Sequence, residues 1–152
     1  MVTSVAIALS LLLIAASVII HYEFLRVTSD FANRADIPRR AHILVVLAGV
    51  LFAHISEVSL YAAAYYLCEL WGGLGRIDGE LEGGVLDYFY LSITTFTTLG
   101  IGDVHPRGSL RIIAGVESLN GLVLIGWSAS FTYLSMEQFW EDKPRSVQRL
   151  NG

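Results

Sequence analysis

A short uncharged run near the middle of the chain has the composition of an ion-binding backbone. The run Thr98, Leu99, Gly100, Ile101 and Gly102 offers one hydroxyl group, two glycines at alternate positions and no charged side chain. Glycine adopts positive φ angles without steric cost, so alternating glycines allow successive carbonyl groups of an extended segment to point to the same side. We therefore expect these carbonyl oxygens to form a row of ligands for a dehydrated monovalent cation.

The segment before this run predicts how the chain positions it. Residues 86–97 are largely apolar and suited to a helix, but they are too few to cross a bilayer, which needs about 20 residues. Non-helical backbone at membrane depth is tolerated only where protein buries it or where it lines a water-filled space. The pattern therefore predicts a re-entrant helix followed by a loop that faces a pore or another chain.

The composition of the whole chain indicates a membrane protein. Its 152 residues are 54% hydrophobic and only 16% charged, with a mean hydropathy of +0.57, whereas soluble domains carry about 25% charged residues. Residues 2–20 hold no charge, 41–68 hold only Glu57, and 112–136 hold only Glu117. We predict an all-α membrane protein with three transmembrane helices, a re-entrant pore helix and a filter loop.

The same numbers exclude several classes of protein. A soluble enzyme with one packed core, a disulfide scaffold and a disordered chain do not fit, since the chain is apolar and has a single cysteine. The net charge of −4 argues against a nucleic-acid partner, which requires a basic face. We expect a lipid bilayer as the surroundings and no small-molecule substrate.

The predicted organisation has four parts. They are an extra N-terminal transmembrane helix (1–27), a cytoplasmic connection (28–40), a pore domain (41–138) and a short cytoplasmic tail (139–152). The pore domain divides into an outer helix (41–69), a pore helix (86–97), a filter (98–103) and an inner helix (109–138).

The distribution of basic residues predicts the orientation. Lys and Arg collect on the cytoplasmic side of membrane proteins. They are concentrated in the first connection and in the tail, as Arg26, Arg34, Arg39, Arg40, Lys143, Arg145 and Arg149. We expect the N-terminus outside and the C-terminus in the cytoplasm, in the plasma (inner) membrane.

The ion-binding run belongs to a longer pattern that resembles a known family. Thr95-Phe-Thr-Thr-Leu-Gly-Ile-Gly-Asp103 is similar to the pore loop Thr-x-x-Thr-Val-Gly-Tyr-Gly-Asp of the tetrameric potassium channel family, which has bacterial members in the ion-channel superfamily. The resemblance spans about residues 41–138. It implies a passive, potassium-selective channel rather than an enzyme, with K⁺ as the permeant ion. One chain supplies one strand of carbonyls and a filter needs four, so a homotetramer is implied.

The resemblance also implies residues that support the filter. Asp103 and Thr95 match the family pattern, and Tyr90 stands where a family tryptophan braces the aspartate, so its hydroxyl is placed to donate to Asp103. Thr94 stands where the family often has a glutamate. Our hypothesis is that Glu117 replaces that glutamate and supports the pore helix or the filter.

Two departures concern the packing around the filter. Ile101 replaces the usual tyrosine, and Leu91 stands at the position of a further family tryptophan. An apolar cuff, in which packing replaces a hydrogen bond, is the expected result.

Several polar or small residues of the spans allow two interpretations. Asn120, Gly121 and Ile125 are predicted to line the pore or, at Gly121, to form a hinge, although close helix packing would equally require a glycine there. His54 and Glu57 share one helix face, and hydrogen bonding between helices is the simpler interpretation of that pair.

Three alternatives to a potassium-selective pore remain open. Ile101 allows a weakly selective monovalent cation channel. The chain also fits a non-conducting membrane assembly subunit. A membrane redox or metal protein is disfavoured, because within the predicted spans only the second carries histidines, His42 and His54.

Overall fold

Three long helices dominate the structure, a computed structural model that describes residues 2–34 and 38–141. They are α1 (Val2–Arg34), α2 (Arg39–Trp71) and α4 (Leu110–Glu141), and a shorter helix, α3 (Val85–Phe96), lies between α2 and α4 in the sequence. Each long helix contains a stretch long and apolar enough to cross a membrane. The predicted all-α membrane architecture is confirmed.

The first helix differs from its predicted length. It continues past residue 27 to Arg34, so most of the predicted 28–40 connection is helical. Its buried face also continues, through Thr28 and Ala32. At about 1.5 Å per residue α1 is roughly 50 Å long, more than the ~30 Å hydrocarbon layer, and it therefore projects beyond it. The tail residues Lys143, Arg145 and Arg149, which contributed to the predicted orientation, lie outside the described residues.

α1 packs against the other long helices through one seam. Its buried residues recur every three or four positions, which places them on one helix face: Ala6, Ser10, Leu13, Ser17, His21, Leu25, Thr28 and Ala32. Gly49 of α2 allows α1 and α2 to approach each other closely, because a Cβ at this position would overlap the Thr28 side chain of α1. The seam is thus built from small and polar residues, as in many membrane helix pairs.

The core lies where α2, α3 and α4 meet. One apolar cluster gathers Tyr61 and Tyr65 of α2, Leu91 of α3 and Ile113 of α4. A second cluster joins α2, α3 and α4 through Val58, Phe96 and Leu124. These contacts hold α3 between the two long helices. Large apolar side chains elsewhere on the long helices are exposed, as a lipid environment requires.

A two-stranded sheet, absent from the predicted elements, joins the segments before and after α3. Strands β1 (Ile77–Gly79) and β2 (Val104–Pro106) pair in antiparallel register, with Asp78 opposite His105. Gly79 has φ 129° and lies so close to Asp103 that a Cβ would overlap its carbonyl. The sheet therefore fixes the chain immediately after the filter loop. Strands of three residues give too short an alternation to be recognised in a sequence.

Candidate functional site

The helix α3 begins at a carboxylate cap. Asp87 accepts hydrogen bonds from the backbone N–H groups of Gly83 (2.8 Å) and Gly84 (3.1 Å). Desolvation alone would raise the pKa of Asp87, but these backbone donors outweigh it and hold the pKa below its usual value. A negative charge at this end also complements the helix dipole. The cap therefore fixes the residue at which α3 begins and helps to hold the direction of its axis.

The filter loop, defined as residues 98–102, is tied back onto the C-terminal end of α3. The N–H of Thr98 donates to the Thr95 carbonyl (2.9 Å), and the N–H of Gly100 donates to the Thr94 carbonyl (3.1 Å). Ser118 of α4 donates its hydroxyl to the same Thr95 carbonyl (2.9 Å). Thr94 and Thr95 thus support the loop through their backbone oxygens, while the Thr94 hydroxyl bonds within α3.

The backbone of the filter loop alternates in handedness. Thr98, Gly100 and Gly102 have φ values of 59°, 53° and 91°, whereas the intervening Leu99 and Ile101 are not among the positive-φ residues. Thr98 is the one non-glycine residue with positive φ in the described part of the chain. Alternation between the two hands is the geometry that turns successive carbonyl groups to one side, which an ordinary strand does not do.

The carbonyl oxygens and the apolar side chains of the filter loop lack partners in the described part of the chain. Among the described residues, none donates a hydrogen bond to a carbonyl oxygen of residues 98–102. Leu99 and Ile101 are exposed at 65% and 59% although both are apolar. Buried backbone carbonyls require partners, so this loop is complete only when something else satisfies its oxygens and covers its side chains.

The orientation of α3 gives this region a negative electrostatic character. The C-terminal end of a helix carries about half an elementary negative charge from its unpaired carbonyl groups. α3 ends at Phe96, directly before the filter loop. A cation close to the start of the loop is therefore stabilised without any charged side chain.

The end of the loop next to Asp103 is held by the Tyr90 side chain, as predicted. The Tyr90 hydroxyl donates to Asp103 Oδ2 (2.8 Å), and Asp103 Oδ1 accepts the N–H of Val104 (2.9 Å). The hydrogen bond from Tyr90 is the main cause that holds the pKa of Asp103 below its ordinary value. The Asp103 carbonyl also accepts the N–H of Glu80 (3.0 Å), which adds the β1 side of the sheet to the brace.

Glu117 contacts the pore helix and not the filter loop. Its carboxyl group is fully buried, with Oε1 2.6 Å from the Ser92 hydroxyl of α3 and Oε2 accepting the Tyr65 hydroxyl of α2. Ser92 Oγ lies 2.8 Å from the Val58 carbonyl as well. Glu117 of α4 therefore joins three helices behind the filter loop.

The three inner-helix residues predicted to line the pore have different surroundings. Asn120 is 6% exposed and donates to Ser17 of α1 (2.7 Å), so it faces the α1 seam and its pore-lining assignment was wrong. At Gly121 a Cβ would overlap the Phe96 carbonyl, which places close packing rather than a hinge at this position. Ile125 is 38% exposed in a single chain, and its pore-lining role stays a prediction.

The expected apolar cuff is not formed within one chain. Leu91 is 2% exposed and belongs to the core cluster with Tyr61 and Tyr65. Ile101, its proposed partner, is exposed. Leu91 therefore packs α3 onto the outer helix, and the cover of Ile101 has to come from outside the chain.

A buried polar cluster lies where α1 meets α2 and α4, and sequence reasoning missed two of its members. It consists of His21 (α1), His54 and Glu57 (α2) and Ser128 (α4). The prediction that only the second span carries histidines was wrong, because His21 lies within the first transmembrane helix and is buried inside the bundle. The polar residues Ser10, Ser17, His21 and Thr28, at helical spacing in an apolar segment, were the available signal.

In the part of the chain that the structure describes, three members of this cluster also form a group that could hold a metal ion. Nitrogen or oxygen atoms of His21, His54 and Glu57 lie within 4.8 Å of one another. The two contacts to Glu57, at 2.7 and 2.9 Å, are nevertheless those of hydrogen bonds.

Comparison with known proteins agrees with this geometry. Residues 42–138 match the family described as "Ion channel". Among curated proteins, two-pore potassium channel 1 of Arabidopsis thaliana is 40% identical over 52 residues, which cover 34% of this chain and 14% of that relative. The chain thus spans a small part of the relative's length. No solved structure matches the chain significantly.

The matched range contains α2 from residue 42, the whole of α3 with the filter loop, and α4 up to residue 138. It covers more than half of the 152 residues. The predicted resemblance is confirmed: the chain belongs to this ion channel family and is a member of the potassium-channel pore group.

Proposed function

We propose that the chain forms a homotetrameric, potassium-selective channel in which K⁺ moves passively through four copies of the filter loop. The backbone carbonyls from Thr98 to Ile101 coordinate the dehydrated ion, and the Thr98 hydroxyl lies at the inner end. Gly102 shapes the outer end. No catalytic step is involved.

The single observation that carries this proposal is the alternating backbone of the filter loop. Positive φ at Thr98, Gly100 and Gly102 comes together with carbonyl oxygens that have no donor among the described residues. A dehydrated cation supplies the positive partner that these carbonyl oxygens lack. The name of the Arabidopsis relative supports potassium as that cation.

The exposed apolar side chains of the loop support four-fold assembly. Leu99 and Ile101 have no cover in one chain, and loops at membrane depth must be buried in protein or line water. A closed ring of four copies provides both conditions, since one side of each loop faces the axis and the other faces a neighbouring subunit.

The same arrangement supports the proposed orientation. The N-terminal residues Val2 and Val5 of α1 share a cavity with Trp71 and Leu74, on the side of the bundle that carries the β1–β2 sheet. The acidic residues Asp78, Glu80 and Glu82 lie on that side and raise the cation concentration at a mouth. We propose that this side faces outward and that the C-terminus is cytoplasmic, in the plasma (inner) membrane.

Ion flux from purified protein in liposomes tests the proposal. We expect K⁺ flux from the wild-type chain, a four-subunit mass, and loss of flux in Gly100→Ala, because alanine at φ 53° is strained. Gly115→Ala is the matched control, since a Cβ there meets no atom within 4 Å. A dimeric or trimeric assembly, or equal flux from Gly100→Ala, would contradict the filter assignment. Absence of flux in every variant would favour the non-conducting subunit.

A weakly selective cation channel is the second candidate, and one observation favours it. Ile101 lacks the hydroxyl with which the family tyrosine anchors the filter, and it is 59% exposed. The reversal potential with K⁺ on one side and Na⁺ on the other separates the two functions. A potential near that of K⁺ supports selectivity, and a value near zero supports the weakly selective pore.

A further inference from the structure

The buried polar cluster of His21, His54, Glu57 and Ser128 has a hydrogen-bond geometry with a chemical consequence. We propose that this cluster is a binding site for one proton, which fastens α1 to the pore domain. The proposed site does not depend on ion conduction, and none of its hydrogen bonds among the described residues reaches the filter loop.

The four side chains form a closed ring. Glu57 contacts both imidazoles, with Oε1 2.7 Å from His21 Nδ1 and Oε2 2.9 Å from His54 Nδ1. On the other side, Ser128 Oγ lies 3.3 Å from His21 Nε2 and 3.0 Å from His54 Nε2. His21 and Glu57 are fully buried, so water does not complete these bonds.

The ring fixes a proton count. Its four contacts need four hydrogen atoms. Ser128 supplies one, because its hydroxyl has no other acceptor among the described residues, and it reaches only one of the two Nε2 atoms. The remaining three belong to His21, His54 and Glu57. Two neutral histidines and an ionised Glu57 hold only two, so the closed ring contains one additional proton.

The additional proton makes the cluster electrically neutral. One imidazolium, one neutral imidazole and one carboxylate sum to zero charge, which favours burial at membrane depth. Without the proton, the cluster is left with a net negative charge, and one Nε2 atom faces the Ser128 oxygen with no hydrogen between them. We place the proton on a histidine and not on Glu57, because imidazole is a stronger base than a carboxylate. It can reside on either ring, since reversing the Ser128 hydroxyl exchanges their roles.

Among the described residues, no other charged side chain forms a hydrogen bond with the cluster. The ring of Trp127 lies 5.2 Å from that of His21, and the ring of Phe96 lies 5.7 Å from that of His54, whose side chain is 19% exposed. The other titratable groups of the described bundle interior lie along α2 and α4: Tyr61, Tyr65, Cys68 and Glu117. Glu117 is occupied by hydrogen bonds from its own partners. α1 and α3 present no further buried acid, base or thiol to the cluster in the described residues.

The consequence of the ring is mechanical. α1 is joined to α2 through the His21–Glu57 bond and to α4 through the His21–Ser128 bond. Release of the proton at alkaline pH breaks the ring at one contact and leaves a buried charge. We therefore expect the attachment of α1 to loosen as the pH rises.

Nitrogen-15 NMR of histidine-labelled full-length protein in lipid nanodiscs tests the proton count. His42→Gln and His105→Gln remove the two histidines outside the cluster, so the spectrum reports His21 and His54 alone. At neutral pH we expect three protonated ring nitrogens in this background. Two protonated nitrogens, from two neutral rings, would overturn the proposal. So would four, from two imidazoliums, or one equivalent of Zn²⁺ in elemental analysis of the purified protein.

Glu57→Gln is the matched variant, because its amide can both donate to one Nδ1 and accept from the other. The ring is then satisfied by two neutral histidines, so we expect the count to fall from three to two with the fold retained. An unchanged count would contradict the proposal.

Amide hydrogen exchange of α1, corrected for intrinsic rates, should rise with pH in the wild type and not in Glu57→Gln. Equal protection of both would contradict the fastening role. Neither measurement depends on ion conduction, so its failure is distinct from a failure of the proposed channel function.

Discussion

Removal of the Glu117 carboxyl group gives a direct measure of how much the hydrogen bond between α2 and α4 stabilises the fold behind the pore helix. In Glu117→Ala the fully buried Tyr65 hydroxyl loses the one acceptor it has among the described residues, whereas Ser92 keeps the Val58 carbonyl at 2.8 Å. A buried hydroxyl without a partner costs about 1–3 kcal/mol, and the cavity adds to this cost. For a chain of this size, each kcal/mol lowers the midpoint of thermal unfolding by about 2–4 °C.

Thermal unfolding followed by tryptophan fluorescence in a bilayer mimetic measures the effect. For Glu117→Ala we expect the unfolding midpoint to fall by about 2–12 °C from the unpaired Tyr65 hydroxyl alone, and the cavity lowers it further. Glu137→Ala is the control, since Glu137 lies exposed on the same helix. Glu117→Gln should unfold close to the wild type, because its amide oxygen accepts from Tyr65 while its amide nitrogen donates to Ser92.

A double-mutant cycle isolates the bond itself. Tyr65→Phe should cost about 1–3 kcal/mol in the wild type, since it removes a hydrogen bond to a carboxyl group. In the Glu117→Ala background the same change should cost nothing or stabilise, because it removes the orphaned hydroxyl. Additive effects of the two substitutions, or equal midpoints for Glu117→Ala and Glu137→Ala, would refute this account.

Two further predictions concern the filter loop and its support. Gly121→Ala should lower the unfolding midpoint, because the new methyl group overlaps the Phe96 carbonyl and overpacking costs about 1–3 kcal/mol. Gly126→Ala, whose Cβ meets no atom within 4 Å, should not lower it. Tyr90→Phe should raise the pKa of Asp103 toward the ordinary value of about 3.9. Because the folded pKa is depressed, the Tyr90–Asp103 bond stabilises the protein above that value and is lost as the pH falls through the folded pKa, which carboxyl carbon NMR follows. An unchanged Asp103 titration in Tyr90→Phe would contradict this reasoning.

The features that the sequence predicts well are local ones. The three apolar stretches are separated by charged connections, and the short helix before the filter loop is uninterrupted by Gly or Pro. The Tyr90–Asp103 hydrogen bond was predicted from the resemblance to the potassium channel pore loop, because Tyr90 stands where a family tryptophan braces the aspartate. Both residues lie in one short segment, so the match to a local motif suffices to predict their contact.

The features that the sequence does not predict depend on which helix faces which. Asn120 points to Ser17 of α1 because α1 packs along α4, and nothing in the inner helix alone indicates that neighbour. His21 contacts Glu57, 36 positions away, through the same packing. Pairing between distant helices is a tertiary property, and polar residues at helical spacing indicate only that some partner exists.

The left-handed backbone of Thr98 has a consequence for the proposed tetramer. A residue other than glycine in this conformation costs about 1–3 kcal/mol, and a ring of four subunits would place four such residues at one level. About 4–12 kcal/mol of conformational energy would then be stored in one narrow layer. In that proposed assembly, attraction between the permeant ion and the carbonyl oxygens would offset this energy, so the transported ion would act as a structural component of the protein, and its removal would allow the layer to relax.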